Sequence, residues 1–147
     1  MESALQQFIE EMGLYFESEG SPRIAGRLYA FLLLQEEPRS LDDLTAGLQV
    51  SKASVSSNAR LLEHHGLVQR VATPGDRRDF YVATPDPTRS IELRLAGVRR
   101  FARLLEEVTP AVPARTSAVR DRLEGMLSVT DEIVRLLSDV LSRRRGG

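Results

Sequence analysis

SKASVSSNARLLEHHG, residues 51–66, is a helix by its own spacing. Val55, Ala59 and Leu62 recur at steps of four and three and define one inward face. Lys52, Ser54, Ser56, Ser57 and Arg60 are then left wholly or partly outward. Ser51 has the side chain of an N-cap, and Gly66 supplies the end. A helix that enters the major groove needs such a face, free of bulky apolar groups. Hydroxyls bond phosphates or base edges, and an Arg can fork onto guanine O6 and N7. Taken alone, the stretch fits equally well a polar, solvated helix used only for protein contacts.

The neighbouring segments separate those readings. Upstream, Leu41, Leu44 and Leu48 form the inward face of a short helix. Ser40 caps it, with Asp43 as the acidic partner of a capping box. Gly47 and the short link through Gln49 and Val50 are expected to make the tight turn of a helix-turn-helix. Downstream, from Leu67 to Thr84, the period changes from 3.6 to 2, and residues 74–79, PGDRRD, are a turn by composition. Two strands and a basic loop make a wing. Arg77 and Arg78 become candidate DNA contacts, because a narrow minor groove concentrates negative potential. Asp76 is expected to orient its neighbour. The plainer alternative for this loop is a solvated turn with internal ion pairs.

Working outward, Leu5, Phe8, Ile9, Met12, Tyr15 and Phe16 mark an amphipathic first helix that Gly20 ends. Ser21 and Pro22 are expected as N-cap and first residue of a second helix, whose apolar positions from Ile24 to Leu33 nearly encircle it. Pro38 closes it. Asp86 and Pro87 repeat the cap pattern before a helix with Ile91, Leu95, Val98, Ala102 and Leu105 in 4,3 steps. Pro110 and Pro113 interrupt it. A last helix carries Val119, Leu123, Met126, Thr130, Ile133, Leu137 and Val140 over three heptads, with Leu127, Val134 and Leu141 beside that seam. Such heptads serve either an intramolecular bundle or a dimer seam, and the surplus of apolar helix outside a small winged core favours the dimer. The tail from Arg143 to Gly147 is expected to fray. The expected organisation is an N-terminal dimerisation helix (1–20), a winged helix-turn-helix (21–85) and a C-terminal helical dimerisation region (86–147). The fold class is mainly α with a small β wing.

The totals are compatible with this plan. A chain of 147 residues, 41% hydrophobic and 28% charged, suits one soluble domain with an appended dimerisation element. With 5% aromatics and no Trp, its core must be mainly aliphatic. The lack of Cys excludes disulfides, zinc fingers and thiol chemistry, and suits a reducing cytoplasm. No apolar run approaches the roughly 20 residues of a membrane span, and MESALQQF does not resemble a secretory signal. The expected location is therefore cytoplasmic, away from the membrane. A net charge of −1 weighs mildly against a DNA-binder. Charge is segregated, however: residues 50–80 hold five cations against three acids, a local excess of +2. His64 and His65 are adjacent, so they point about 100° apart on a helix and do not converge on one metal. There is no convergent acid–base pair, no Gly-rich phosphate loop, and no nucleophile elbow around SVSS. An enzyme, a cofactor or a metal site is not expected.

These residues together resemble the MarR-type winged-helix regulators, and more narrowly their GbsR-like branch. The resemblance rests on Pro22-Arg-Ile-Ala-Gly-Arg27, on Ser51-Lys52 followed by Val55-Ser56 and Asn58, on Leu62 through Gly66-Leu67-Val68, and on Gly75-Asp76-Arg77-Arg78 and Tyr81. It covers residues 20–85; the flanking helices match in pattern only. It implies a homodimer joined by its terminal helices and presenting two recognition helices to a palindromic site in double-stranded DNA. The expected action is repression of transcription. The resemblance carries DNA contact onto Ser51, Lys52, Ser54, Ser56, Ser57 and Arg60, and wing contact onto Arg77 and Arg78. Asn58 falls on the family's Asn, partly inward, where it is expected to bond backbone. Ala83-Thr84 departs from the usual Leu-Thr close of the wing. Such regulators often respond to a small-molecule effector held between dimerisation helices and winged core. Phe8, Met12, Tyr15 and Phe16 would be the side chains to line that pocket, with core packing their commoner fate. The alternative function is a winged-helix protein-interaction module without DNA affinity.

Overall fold

The structure, a computed structural model, describes residues 2–146; Met1 and Gly147, at the ends of the expected terminal regions, lie outside them. Two compact units divide the chain, residues 1–87 and 88–147.

The first unit holds α1 (Glu2–Ser18), α2 (Arg23–Leu33), β1 (Arg39–Ser40), α3 (Leu41–Leu48), α4 (Lys52–His64), β2 (Val68–Val71) and β3 (Phe80–Ala83). The strands form one antiparallel sheet in the order β1-β3-β2, with Arg39 opposite Tyr81 and Arg70 on its other side. This is the winged-helix arrangement, mainly helical with a small sheet. Leu28, Leu44, Val55 and Leu62 are fully buried at its centre, where the aliphatic periodicities of three helices converge.

Local chemistry explains the ends of the helices. Ser40 accepts the Asp43 amide while its own amide donates to the Asp43 carboxylate, so the capping box is complete. That bond from the Ser40 backbone holds the Asp43 carboxyl below the usual carboxylate range. Ser40 also belongs to β1, a strand of two residues too short to leave a period in the sequence.

Two expected caps are corrected. Ser21 does not cap α2; Pro22 takes the N-cap position, with extended backbone and no side-chain bond. The Ser21 amide donates instead to Phe16 O and the Gly20 amide to Glu17 O, with Gly20 at φ +84, which closes α1 in a Schellman motif. Likewise the turn between α3 and α4 is not made by Gly47. Gln49 adopts the left-handed conformation there, at φ 56. Gly47 stays inside α3 because a Cβ would lie 2.6 Å from the Phe31 ring. Gly26 serves a similar purpose: a Cβ on it would lie 2.4 Å from Met12 O, so α1 and α2 touch backbone to backbone.

The second unit is a pair of long helices, α5 (Thr88–Val108) and α6 (Ser117–Arg145), joined through a 3₁₀ turn at Thr109–Ala111. Helix α5 opens one residue after Pro87, a shift within the ordinary uncertainty of helix ends. Helix α6 runs on through Arg145 where fraying was expected from Arg143. Arg145 donates to the Glu92 carboxylate, and three arginines in the last turn suit the negative end of the helix dipole. The 4,3 seam expected on α6 turns out to mix two faces. Of its members Thr130 is buried, Leu123, Ile133, Leu137 and Val140 are half-buried, and Val119 and Met126 are exposed; beside it Leu127, Val134 and Leu141 are buried or half-buried, whereas Val129 and Leu136 are exposed.

Candidate nucleic-acid interface

Helix α4 presents its polar face because its apolar residues are fully used. Val55, Ala59 and Leu62 are completely buried, and Asn58, 8% exposed, joins them. The Asn58 amide donates to Ser54 O at 2.8 Å, a bond to backbone as expected. The opposite stripe consists of Ala53, Ser57, Arg60 and His64, all exposed. Lys52 and Ser56 flank it, one exposed and one half-buried. In the sequence His64 is read only as one of two adjacent histidines that do not converge on a metal. Its step of four from Arg60 was the signal that it shares the stripe.

The candidate side chains are not equally free. Ser51 accepts the Ser54 amide at 3.1 Å, so its hydroxyl is engaged as the N-cap. Ser57 donates back to Ala53 O and Ser54 O. Lys52 lies 3.6 Å from Asp42 on α3, an exposed pair of little energetic weight. Ser54 and Ser56 are half-buried at the edges of the face. Arg60 is exposed and forms no ion pair among the described residues.

The wing treats its cations differently again. Thr73 O accepts the Asp76 amide across Pro74 and Gly75, and Gly75 sits at φ +81, the signature of a type II turn. Asp76 then holds Arg78, not its immediate neighbour. It accepts the Arg78 amide at 2.9 Å and takes the Nε–Nη2 edge of the guanidinium in a fork, the shortest contact 2.8 Å. Those hydrogen bonds pull the Asp76 carboxyl down to about 2. The Arg78 guanidinium also lies over the Phe80 ring, 5.2 Å from its centroid. Arg77 is exposed and forms neither an ion pair nor a side-chain hydrogen bond among the described residues. Arg70, counted in the sequence among the excess cations, is shared between Glu63 and Asp79, each 3.7 Å away. Of the five cations of residues 50–80, Arg60 and Arg77 are the two without an ion pair among the described residues.

Of the four side chains considered for an effector pocket, Phe8, Met12 and Phe16 pack against the core. Tyr15 is 58% exposed. Among the described residues no group of His, Asp and Glu is placed to hold a metal ion, and no helix is long and apolar enough to cross a membrane.

Comparison with known proteins converges on one group. Residues 24–79 match the sequence model of the MarR family. Over 97% of its length the chain is 32% identical to the HTH-type transcriptional regulator MmpR5 of Mycobacterium tuberculosis, of which it covers 87%. A crystal structure of a transcriptional regulator matches at a TM-score of 0.91 with 29% identity, over 98% of this chain and 99% of that one.

Proposed function

The chain belongs to the MarR family of winged-helix transcriptional regulators, which are DNA-binding proteins and not enzymes, and from that premise we propose that it is a repressor that acts as a homodimer on a palindromic operator. The observation that carries the reading is the pair of unneutralised arginines, Arg60 on the outer stripe of α4 and Arg77 at the wing tip. The proposed contact set is Ser51, Lys52, Ser54, Ser56, Ser57 and Arg60 from the helix, with Arg77 and Arg78 from the wing. Within it Arg60 is the base-reading candidate, because its fork is free to meet guanine.

The dimer is supported by apolar surface that the single chain leaves uncovered. Met126, Val129 and Leu136 are exposed along α6, Leu136 by 65%, and the half-buried Ile133 and Val140 complete a run in steps of three and four. On α5, Phe101, Leu104 and Val108 continue the pattern, also exposed. A two-fold dimer presents two copies of α4, and a palindromic site is the matching DNA symmetry. A dimer seated over a promoter excludes polymerase by occupancy alone, so repression requires nothing further. The GbsR-like branch and a small-molecule effector belong to the same proposal. For the effector, Tyr15 is the aromatic of α1 not consumed by the core.

Capture of genomic fragments by the purified protein tests the reading, followed by anisotropy titrations of the recovered duplex. We expect a site with two-fold symmetry. Replacing both Lys52 and Arg60 with Ala should weaken binding by about 1–3 kcal/mol for a lost guanine fork, with melting temperature and dimer mass unchanged. Unaltered affinity would move DNA recognition off α4 and favour the protein-interaction module.

A further inference from the structure

The motif Pro22-Arg-Ile-Ala-Gly-Arg27 opens α2, and the proposed DNA contacts use none of it. From its geometry we infer that Arg27 is a positioning residue. It ties α1 to the turn between α3 and α4, so that the pose of α4 depends on where α1 lies. This rests on the DNA-binding reading and adds a residue that touches no DNA.

The motif first brings α1 and α2 together. Gly26 lies against Met12 O, and on the α1 side a Cβ at Gly13 would fall 2.8 Å from Cγ of Arg27 and 2.9 Å from Cγ of Arg23. The stems of both arginines therefore cross the α1 backbone, and each guanidinium reaches an acid of α1. They end differently. Arg23 forks onto Glu17, from Nε at 3.0 Å and Nη2 at 2.8 Å, in an exposed pair. Arg27, only 19% exposed, divides its donors: Nε donates to Glu10 at 3.1 Å and Nη2 to Leu48 O at 3.3 Å.

Leu48 is the last residue of α3, where a carbonyl has no partner within the helix and the helix dipole favours a cation. Gln49 follows at φ 56 and redirects the chain toward α4. One guanidinium thus bonds α1 with one nitrogen and the start of the turn with another. The group is planar and rigid, so its two donors move together. A displacement of Glu10 is felt at Leu48 O. Gln6 donates to the same Glu10 oxygen at 3.1 Å and braces that carboxylate along α1.

The test compares variants of the full chain on a fluorescein-labelled duplex recovered from genomic fragments. Affinity is measured across a salt series, and amide exchange on the free protein. Arg27→Met keeps a stem over Gly13 and removes the donors. It should weaken binding roughly 2- to 30-fold, the range for coupling carried through bonded and packed groups. The log–log salt slope should not change, because no phosphate contact is lost. Glu10→Ala places a good helix former at a half-exposed position of α1 and should also weaken binding. The double variant should bind no more weakly than Arg27→Met alone. Arg27→Lys keeps the charge but has one nitrogen for two partners, so it should not restore affinity. Exchange of the Gln49 amide should quicken in Arg27→Met and Glu10→Ala. Glu17→Ala, which breaks the neighbouring fork, should alter neither affinity nor exchange. An Arg27→Met variant that melts earlier yet binds as tightly overturns the assignment, as does a flattened salt slope. If Arg27→Met fails to fold, Glu10→Ala decides: unchanged affinity, or a loss matched by Glu17→Ala, overturns it. A parent chain with no affinity for any duplex would overturn both this assignment and the DNA-binding reading; a parent that binds while Arg27→Met binds equally well overturns the assignment alone.

Discussion

The two units of this chain solve the burial problem in opposite ways. Residues 1–87 enclose a core in which six elements contribute side chains, with Ala25, Leu28, Leu44, Val55, Ala59 and Leu62 entirely out of solvent. Residues 88–147 are two long helices whose buried residues are few: Thr88, Leu95, Ala102, Thr130 and Leu141. A pair of helices has one mutual seam, so any second apolar stripe on either remains in water until another chain covers it. Charge divides along the same line. The first unit carries 8 basic and 13 acidic residues, a net of −5, and the second carries 12 and 8, a net of +4. If a unit that is acidic as a whole is to meet DNA, its few free cations must be well placed, so the pairing state of each arginine matters more than the total.

The largest effect is expected from making the uncovered stripe polar. Leu104→Asp with Leu136→Asp should abolish the dimer by light scattering. Duplex affinity should fall about 100-fold or more through loss of the second recognition helix, while the first unit keeps its fold. A stable dimer from that variant would place the interface elsewhere. The next effect belongs to the enclosed core: Leu62→Ala removes a fully buried side chain and should cost about 2–5 kcal/mol of unfolding free energy. Gly26→Ala should cost about 1–3 kcal/mol, because the new methyl meets Met12 backbone and not a movable side chain. If these changes were as mild as surface substitutions, the first unit would not be the closed body described. The smallest expected effect is Ser40→Ala, about 1 kcal/mol in thermal melts, from losing the cap at the start of α3.

The fold was legible wherever period and punctuation agreed. Val55, Ala59 and Leu62 announced the inward face of α4, Ser40 and Asp43 their capping box, and Pro74-Gly75 the wing turn. What escaped notice was short or cooperative. Strand β1 has two residues, which carry no period, and exists because Ser40 and Arg39 fall opposite Phe80 and Tyr81. Gly47 read as a turn residue because glycine usually is one; only the Phe31 ring lying against it reveals the other reason. On α6 the heptad count merged two seams, since stripes about 100° apart overlap in a 4,3 pattern until a partner helix selects one of them.

The candidate interface divides in the same way. The sequence by itself determined which residues face outward on α4 and that the wing tip is basic, because those follow from helical period and turn composition alone. Only the tertiary structure decided which cations remain free. Lys52 meets Asp42 from another helix, Arg70 sits between Glu63 and Asp79, and Arg78 is drawn onto Asp76 and Phe80. Among the described residues Arg60 and Arg77 are left without an ion pair. Ion pairing depends on distances of 3–4 Å between groups that separate elements bring together, and local spacing does not encode those distances.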